Sequence, residues 1–347
     1  MDDPYLRERS KKEYQRLVSD NRLKQERLLR FRDLAASTRD GETVCLRANI
    51  GLLSDVEIAR RNGADGVGLY RTEFPFMASA NFPDRQDQYR LYRRVVESFA
   101  GQVVTFRTLD IGGDKTLPYF NRPVEDNPSL GRRSVRVSLD HREMFRTQIE
   151  AILMAGTHGP VRLMFPMIST MDEIGICRDV VQEARNNLQA CGLDVPDIPL
   201  GVMIEVPAAI SIADHLAKEV NFFALGTNDL IQYMLAADRG NSMIHQYYDP
   251  FHPAILEGIR RMIEVSHRHN KQLCICGEMA RDPGCFALLV GLGLREFSVS
   301  GPAILPLKAT LSQLTSGRLS ELAQQALQQG HSSKVREMVD QVIREVD

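Results

Sequence analysis

The sequence predicts an α/β chain folded as a (β/α)8 barrel of the TIM type. Eight short apolar runs have the length and composition of buried strands. Helical patterns separate most of them, and strand–helix alternation implies a parallel sheet. Eight such units in about 270 residues match the size of that barrel. A doubly wound open sheet with fewer strands is the alternative.

Taken in order, residues 5–35 are rich in Arg, Lys, Glu and Leu, and predict a long solvated helix ending near Ser37-Thr38, before the turn signal Asp40-Gly41. The expected strands are Val44–Ile50, Gly66–Thr72, Val103–Asp110, Val161–Met167, Leu200–Val206, Phe222–Asn228, Gln272–Glu278 and Glu296–Ser300. The expected helices are 54–62, 84–100, 140–156, 171–191, 208–219, 253–270 and 282–292, and a short apolar helix follows Asp229. Residues 303–346 read as helical with a break at Gly330-His331. The organisation expected is a helical linker (1–40), a barrel (41–315) and a C-terminal helical appendage (316–347). Two irregular connections, 111–139 and 238–252, are long enough to predict function.

Composition narrows the class. The 347 residues carry 25% charged side chains and a net charge of −2, which gives no attraction to nucleic acid or to a membrane surface. No apolar run approaches a membrane span of roughly 20 residues. The charged amino end is not a secretory signal. Six scattered cysteines suit free thiols in a reducing, cytoplasmic setting. No low-complexity tract or further repeat is present.

Chemistry collects where the strands end. The second expected strand runs into Arg71-Thr72-Glu73, and the third ends in Arg107-Thr108-Leu109-Asp110. The fifth carries Glu205, the sixth ends in Asn228-Asp229, and the seventh in Cys276-Gly277-Glu278. Charge inside apolar runs is expensive unless paired or metal-bound. In a barrel these ends share one pole, the catalytic face. Glu205 and Asp229 offer hard oxygens to Mg²⁺ or Mn²⁺. Arg71, Arg107 and Arg239 are permanently charged forks suited to phosphate and carboxylate. Together they predict a small, multiply anionic and phosphorylated substrate. The competing explanation is a salt-bridge network among the same groups, and for Asn228-Asp229 a plain helix cap.

Cys276 at a strand tip predicts proton transfer or nucleophilic attack, against a buried core thiol as the alternative. His267 and His269 near Cys274 and Cys276 invite zinc, but no C-x-x-C spacing is present. Gly112-Gly113-Asp114-Lys115-Thr116 lacks the order of a P-loop, and Gly63, Gly66 and Gly68 enter a strand instead of leaving one, so no dinucleotide fingerprint is there.

With these residues in hand, GLYRTEF (68–74), TLDIGGDK (108–115), NPSLG (127–131), MFPM (164–167), GVMIEVP (201–207), GTNDLIQY (226–233), Ala237-Asp238-Arg239 and CGEMA (276–280) resemble the phosphoenolpyruvate-binding barrel of enzyme I of the bacterial phosphotransferase system. Pyruvate phosphate dikinase and phosphoenolpyruvate synthase carry a sparser version. The nitrogen-related paralogue is slightly more similar, through Asn49–Leu53 and Glu73–Met77. The resemblance implies that Arg71, Arg107 and Arg239 bind phosphoenolpyruvate with Asn228 and the Asp229 backbone. It implies that Glu205 and Asp229 ligate Mg²⁺, and that Cys276 protonates the enolate carbon as pyruvate forms. Lys115 and Arg133 are weaker carry-overs.

It further implies a homodimer, a histidine acceptor on a separate N-terminal domain, and a small phosphocarrier protein beyond it. Arg132 stands where the family has Trp, and Val299-Ser300-Gly301-Pro302 replaces the usual Met-Ser-Pro. None of the eight histidines sits in the family's Gly-rich Ser-His context, so this chain resembles the C-terminal part of a longer enzyme. The other functions to be weighed are a metal-dependent lyase or aldolase acting on pyruvate enolate, and a phosphoenolpyruvate-sensing dimerisation domain.

Overall fold

The computed structural model describes residues 26–345, apart from 114, 116 and 121–123. Nine strands appear: β1 (Ala36–Ser37), β2 (Thr43–Ile50), β3 (Val67–Arg71), β4 (Val104–Arg107), β5 (Val161–Phe165), β6 (Leu200–Ile204), β7 (Phe222–Leu225), β8 (Gln272–Ile275) and β9 (Glu296–Ser300). From β2 to β9 each strand pairs in parallel with the next, and β9 returns to β2 over Cys45↔Glu296 to Asn49↔Ser300. The sheet therefore closes into the eight-stranded barrel that the sequence predicts, and the open-sheet alternative falls. β1 is an extra strand laid antiparallel on β2.

Alternation along β2 shows how the layers form. Val44, Leu46, Ala48 and Ile50 are buried, while Cys45, Arg47 and Asn49 point the other way and are half-buried. The first set joins the large core between barrel and helices. Inside the barrel, Leu69, Met164, Met203, Phe222, Ala224 and Cys276 form a second, smaller cluster. A third cluster, Phe76, Leu109, Ile111, Leu117 and Val137, lies under the 111–139 connection. Phe82, Tyr119 and Phe120 extend it through edge-on ring contacts. Leu117, Tyr119 and Phe120 of that connection are thus packed against the barrel, and it leads into the helix Val135–Asp140.

Most strands stop short of their expected ends. The strand before Glu205 ends at Ile204, the one before Asn228 at Leu225, and the one before Cys276 at Ile275. The polar residues sit just past the ladder, where side chains turn towards the barrel mouth. Of the expected N-terminal helix, residues 5–25 lie outside the described residues. The described part does not continue helical to residue 35: a 3-10 turn covers Leu29–Phe31, and Ala36–Ser37 is drawn into pairing with β2. A short helix at Glu73–Ala78 adds to those expected, and the helix expected over 208–219 is split into Pro207–Ser211 and Ala213–Glu219.

The C-terminal segment forms helices Ile304–Leu311, Ser316–Leu327 and Ser332–Arg344, the last beginning just after the expected break. The last two pack on helix Pro283–Gly291 through glycine contacts. A Cβ at Gly284 would lie 2.4 Å from Val339, and one at Gly291 would lie 2.1 Å from the Leu319 carbonyl oxygen. Among the described residues no helix is long and apolar enough to cross a membrane.

Gly291→Ala must push helix Ser316–Leu327 away from this seat. Overpacking of this kind costs about 1–3 kcal/mol. We expect a lower urea midpoint at unchanged slope. An unchanged midpoint would show that the two helices are not packed as described.

Candidate active site

Each residue picked out at a strand end reaches the same pole. Arg71 and Arg107 close β3 and β4. Glu205 and Cys276 follow β6 and β8 directly, and Asn228 and Asp229 lie in the first turn of helix Thr227–Leu235. Arg71, Arg107, Lys115, Glu205, Asn228, Asp229, Arg239 and Cys276 line one cleft of about 90 Å³. A close approach between strands narrows it: a Cβ on Gly277 would fall 1.8 Å from Thr227 Oγ1. The helix-cap explanation for Asn228-Asp229 does not hold, because the cap position is Gly226. Asn228 Oδ1 instead accepts the Glu278 N–H at 2.8 Å, tying the β7 and β8 loops together.

Beneath the cleft runs a buried ionic chain that strand-end reasoning did not assemble. Arg107 Nη2 lies 2.8 Å from Glu73 Oε1 and 3.0 Å from Asp110 Oδ2. Lys115 Nζ reaches the same two carboxylates at 2.9 and 2.6 Å. Arg133 Nη2 holds Asp110 Oδ1 at 3.2 Å, and its Nη1 holds Asp229 Oδ1 at 3.0 Å and Tyr233 Oη at 3.1 Å. Arg133 is only 1% exposed. Burial opposes the charge on Asp110, but Arg107, Lys115 and Arg133 outweigh it and hold its carboxyl well below the usual range. Glu73 is likewise lowered: Arg107 and Lys115 overcome its desolvation.

The salt-bridge explanation is therefore correct for Arg107, which is anchored on one side while its Nη1 turns to Met203 Sδ at 3.8 Å. It does not extend to Arg71, which among the described residues has no ion pair within 4.0 Å. Arg239 stands 4.0 Å from Asp229 Oδ2. The sequence identifies Glu73 and Asp110 only as strand-end residues and Arg133 only as a carry-over of the resemblance, and it assigns none of the three to an ionic chain. The partners of Glu73 lie 34 and 42 residues away in sequence, and Asp110 has Arg107 and Lys115 nearby but Arg133 23 residues away.

Glu205 stands apart from this chain. Its Oε1 accepts the Met167 N–H at 2.7 Å, and Met167 takes a left-handed φ of 57° to present that donor. A left-handed conformation at a non-glycine residue is costly and needs such a compensation. Burial, then the neighbouring charges of Asp229 and Asp110, push Glu205 up to about 8. A divalent cation between Glu205 and Asp229 would relieve that repulsion. Among the described residues no group of three or more His, Cys, Asp and Glu could hold a metal. A cation here would thus rest on two carboxylates and draw its other ligands from substrate and water, the usual habit of Mg²⁺. The residues fit such an ion.

The Cys276 thiol is 3% exposed and donates to the Leu225 carbonyl oxygen at 3.4 Å. Burial pushes it up to about 12, so it stays protonated. Among the described residues His267, His269, Cys274 and Cys276 form no group that could hold zinc, and His269 Nε2 lies 2.9 Å from Asp214 Oδ1. All six cysteines are free, with Cys191 exposed and Cys45 half-buried.

The family described as "PEP-utilising enzyme, PEP-binding domain" matches residues 25–316. The chain belongs to this family. Among curated relatives, the phosphoenolpyruvate-protein phosphotransferase of Listeria innocua is 44% identical over 96% of this chain and 58% of its own length. That of Staphylococcus carnosus is 44% identical over 90% of this chain and 55% of its own length. The chain therefore spans a little over half the length of these relatives. Among solved structures, a citrate lyase from Burkholderia xenovorans overlays with a TM-score of 0.49 at 12% identity, covering 89% of this chain and 94% of that one. The family's PEP-binding domain coincides with the barrel and contains the whole cleft.

Glu205 also makes stability depend on pH in a way that isolates it. Its carboxyl is near 4.5 when unperturbed and about 8 in the fold. Between these values the native chain binds the proton more tightly than the unfolded chain does. The stabilisation is full below the lower value and is lost as pH rises through the upper one. Glu205→Gln has no such loss. In EDTA, the melting temperature of the variant relative to wild type should rise across that window. A difference constant with pH would contradict a folded-state proton on Glu205.

Proposed function

We propose that this chain binds phosphoenolpyruvate with Mg²⁺, or Mn²⁺, and donates the phosphoryl group to a histidine on a separate N-terminal domain, releasing pyruvate. This is the reaction of a phosphoenolpyruvate–protein phosphotransferase, the first step of a relay that continues to a small phosphocarrier protein. The observation that carries it is the meeting of Arg71, Arg239, Glu205, Asp229 and a protonated Cys276 in one cleft. Charge supports the reading. Glu73, Asp110 and Asp229 balance Arg107, Lys115 and Arg133. Arg71, Arg239 and an ionised Glu205 then sum to one positive charge. Phosphoenolpyruvate as a trianion with one divalent cation sums to one negative charge.

Glu205 and Asp229 are the groups that would hold the metal ion, which supplies Lewis-acid neutralisation of the phosphoryl and carboxylate oxygens when bound. Arg71 and Arg239 clamp the anionic oxygens as forked donors, with Arg107, whose Nη1 meets Met203 Sδ, beside them. Asn228 and the Asp229 backbone complete the cradle. Fixed donors of this kind stabilise the enolate as the bridging P–O bond breaks and the phosphoryl group passes to the histidine nitrogen. The enolate electron pair then takes the Cys276 proton at the methylene carbon, giving pyruvate and a thiolate that recovers its proton from water. A thiol at about 12 remains a far stronger acid than a ketone methyl group, so this transfer runs downhill.

The family resemblance adds a homodimer and a cytoplasmic setting to this proposal. A lyase acting on pyruvate enolate gives Arg71 and Arg239 no phosphate to hold, and a sensor gives Cys276 no proton to deliver.

Cys276→Ala separates these functions. With the histidine domain supplied, it should slow pyruvate formation by about 10²–10⁴-fold, the worth of a general acid. Its affinity for phosphoenolpyruvate and Mg²⁺ should stay at the wild-type value. Cys274→Ala, a residue of β8 on the buried side of the cleft, serves as the control. Equal pyruvate formation by wild type and Cys276→Ala would return Cys276 to the barrel core.

A further inference from the structure

Carbon protonation demands that the donor stay over one face of a planar enolate. Cys276 does not sit within a strand. The register of β8 with β9 stops at Ile275↔Phe297, one residue before it. On the β7 side its N–H still bonds the Leu225 carbonyl at 3.0 Å. Its own carbonyl belongs to the turn into Gly277, where no ladder continues.

That carbonyl is caught from across the barrel. Asn49 Nδ2, on β2, donates to Cys276 O at 3.1 Å. Between β2 and β8 lies β9, so the Asn49 side chain spans a whole strand on the inner face. Ser298, on that intervening strand, donates from its hydroxyl to Asn49 Oδ1 at 2.7 Å. An amide whose oxygen is so occupied must turn its NH₂ the other way, towards Cys276. Ser298 is wholly buried. Room for its hydroxyl comes from β3, where a Cβ on Gly68 would lie 2.4 Å from Ser298 Oγ. Residues of β2, β9 and β3 thus stand in line behind one peptide group, and none of them is a charged binder of substrate.

We propose that Asn49 and Ser298 are positioning residues for proton delivery: Ser298 sets the amide of Asn49, and Asn49 pins the Cys276 peptide so that the thiol addresses one face of the enolate. The proposal rests on the phosphoenolpyruvate reading of the cleft. It separates two steps that share one site. Phosphoryl departure depends on Arg71, Arg239 and the carboxylates, whereas carbon protonation depends also on the tip of β8. Removing the pin should loosen the second step and leave binding intact. A residue with a merely structural role would not alter the stereochemistry of a methyl group.

The test uses this chain supplied with the histidine domain, as wild type, Asn49→Ala, Ser298→Ala and the double variant. Phosphoenolpyruvate carrying one deuterium at the methylene carbon is turned over in tritiated water. The chirality of the pyruvate methyl group, the rate of pyruvate formation and the affinity for phosphoenolpyruvate with Mg²⁺ are read together. Asn49→Ala should bind within twofold of wild type, form pyruvate at least tenfold more slowly and give a racemised methyl group. Ser298→Ala should show a smaller loss, and the double variant should match Asn49→Ala because the two act in series. Should Asn49→Ala not fold, Ser298→Ala, lacking one hydroxyl, carries the same prediction of partial racemisation at unchanged affinity.

Stereospecific protonation by Asn49→Ala at the wild-type rate would overturn the proposal. So would additive effects in the double variant, or binding and rate falling by the same factor. A wild type that neither binds phosphoenolpyruvate nor yields pyruvate would instead sink the reading beneath it.

Discussion

Asp110 is the group on which the ionic chain at this pole of the barrel is centred. It lies 1% exposed, just past β4, and three cations converge on it: Arg107, Lys115 and Arg133. A carboxylate at that depth is tolerable only when its charge and lone pairs are met. Meeting them is also what ties the site together. Arg133 arrives on the long 111–139 connection and passes its other nitrogen to Asp229, after β7. Lys115 and Arg107 both continue to Glu73, after β3. One buried anion therefore draws three separate strand ends and one long loop into a single register. Breaking it would strand like and unlike charges alike in a low dielectric.

The same constraint shapes the groups left outside the network. Glu205 gains a backbone donor from Met167 but, among the described residues, no ion-pair partner, and the nearby carboxylates disfavour its charge. Arg71 and Arg239 line the mouth of the cleft, Arg239 standing 4.0 Å from Asp229 Oδ2. In the proposed function, a cation held by Glu205 and Asp229 and an anion held by the arginines would offset each other's charge. The cleft is in this sense preorganised for the proposed ligands: its side chains are already held by the buried network. The loop core of Phe76, Leu109, Ile111, Leu117 and Val137 adds packing stiffness directly behind Arg107 and Asp110.

The barrel was legible because each of its eight strands is an apolar run bounded by turn residues. The order of pairing then follows from short right-handed crossovers. Glu205, Asn228, Asp229 and Cys276 were legible for a related reason, as polar residues attached to runs that are otherwise apolar. What the runs conceal is where pairing stops. A residue such as Cys276 reads as strand although its ladder has ended, because composition does not reveal which backbone groups are bonded.

The ionic chain was hidden by distance along the sequence. Arg133 and Asp229 lie 96 residues apart, and Arg107 and Glu73 lie 34 apart. No local periodicity joins them. The helices at Glu73–Ala78 and Val135–Asp140 escaped notice for a different reason: both are only six residues long, and Pro75 falls inside the first. The start of the chain erred through propensity, since Ala36 and Ser37 follow a helix-forming stretch yet are claimed by the edge of β2.

The central claim is that the pole is a site for an anion and a divalent cation together, with each completing the other. Titration calorimetry of phosphoenolpyruvate into the chain, once with Mg²⁺ and once in EDTA, tests it most directly. The account predicts saturable one-to-one binding with Mg²⁺, and at least tenfold weaker binding without it. Equal affinity in the two buffers, or no binding in either, would contradict it.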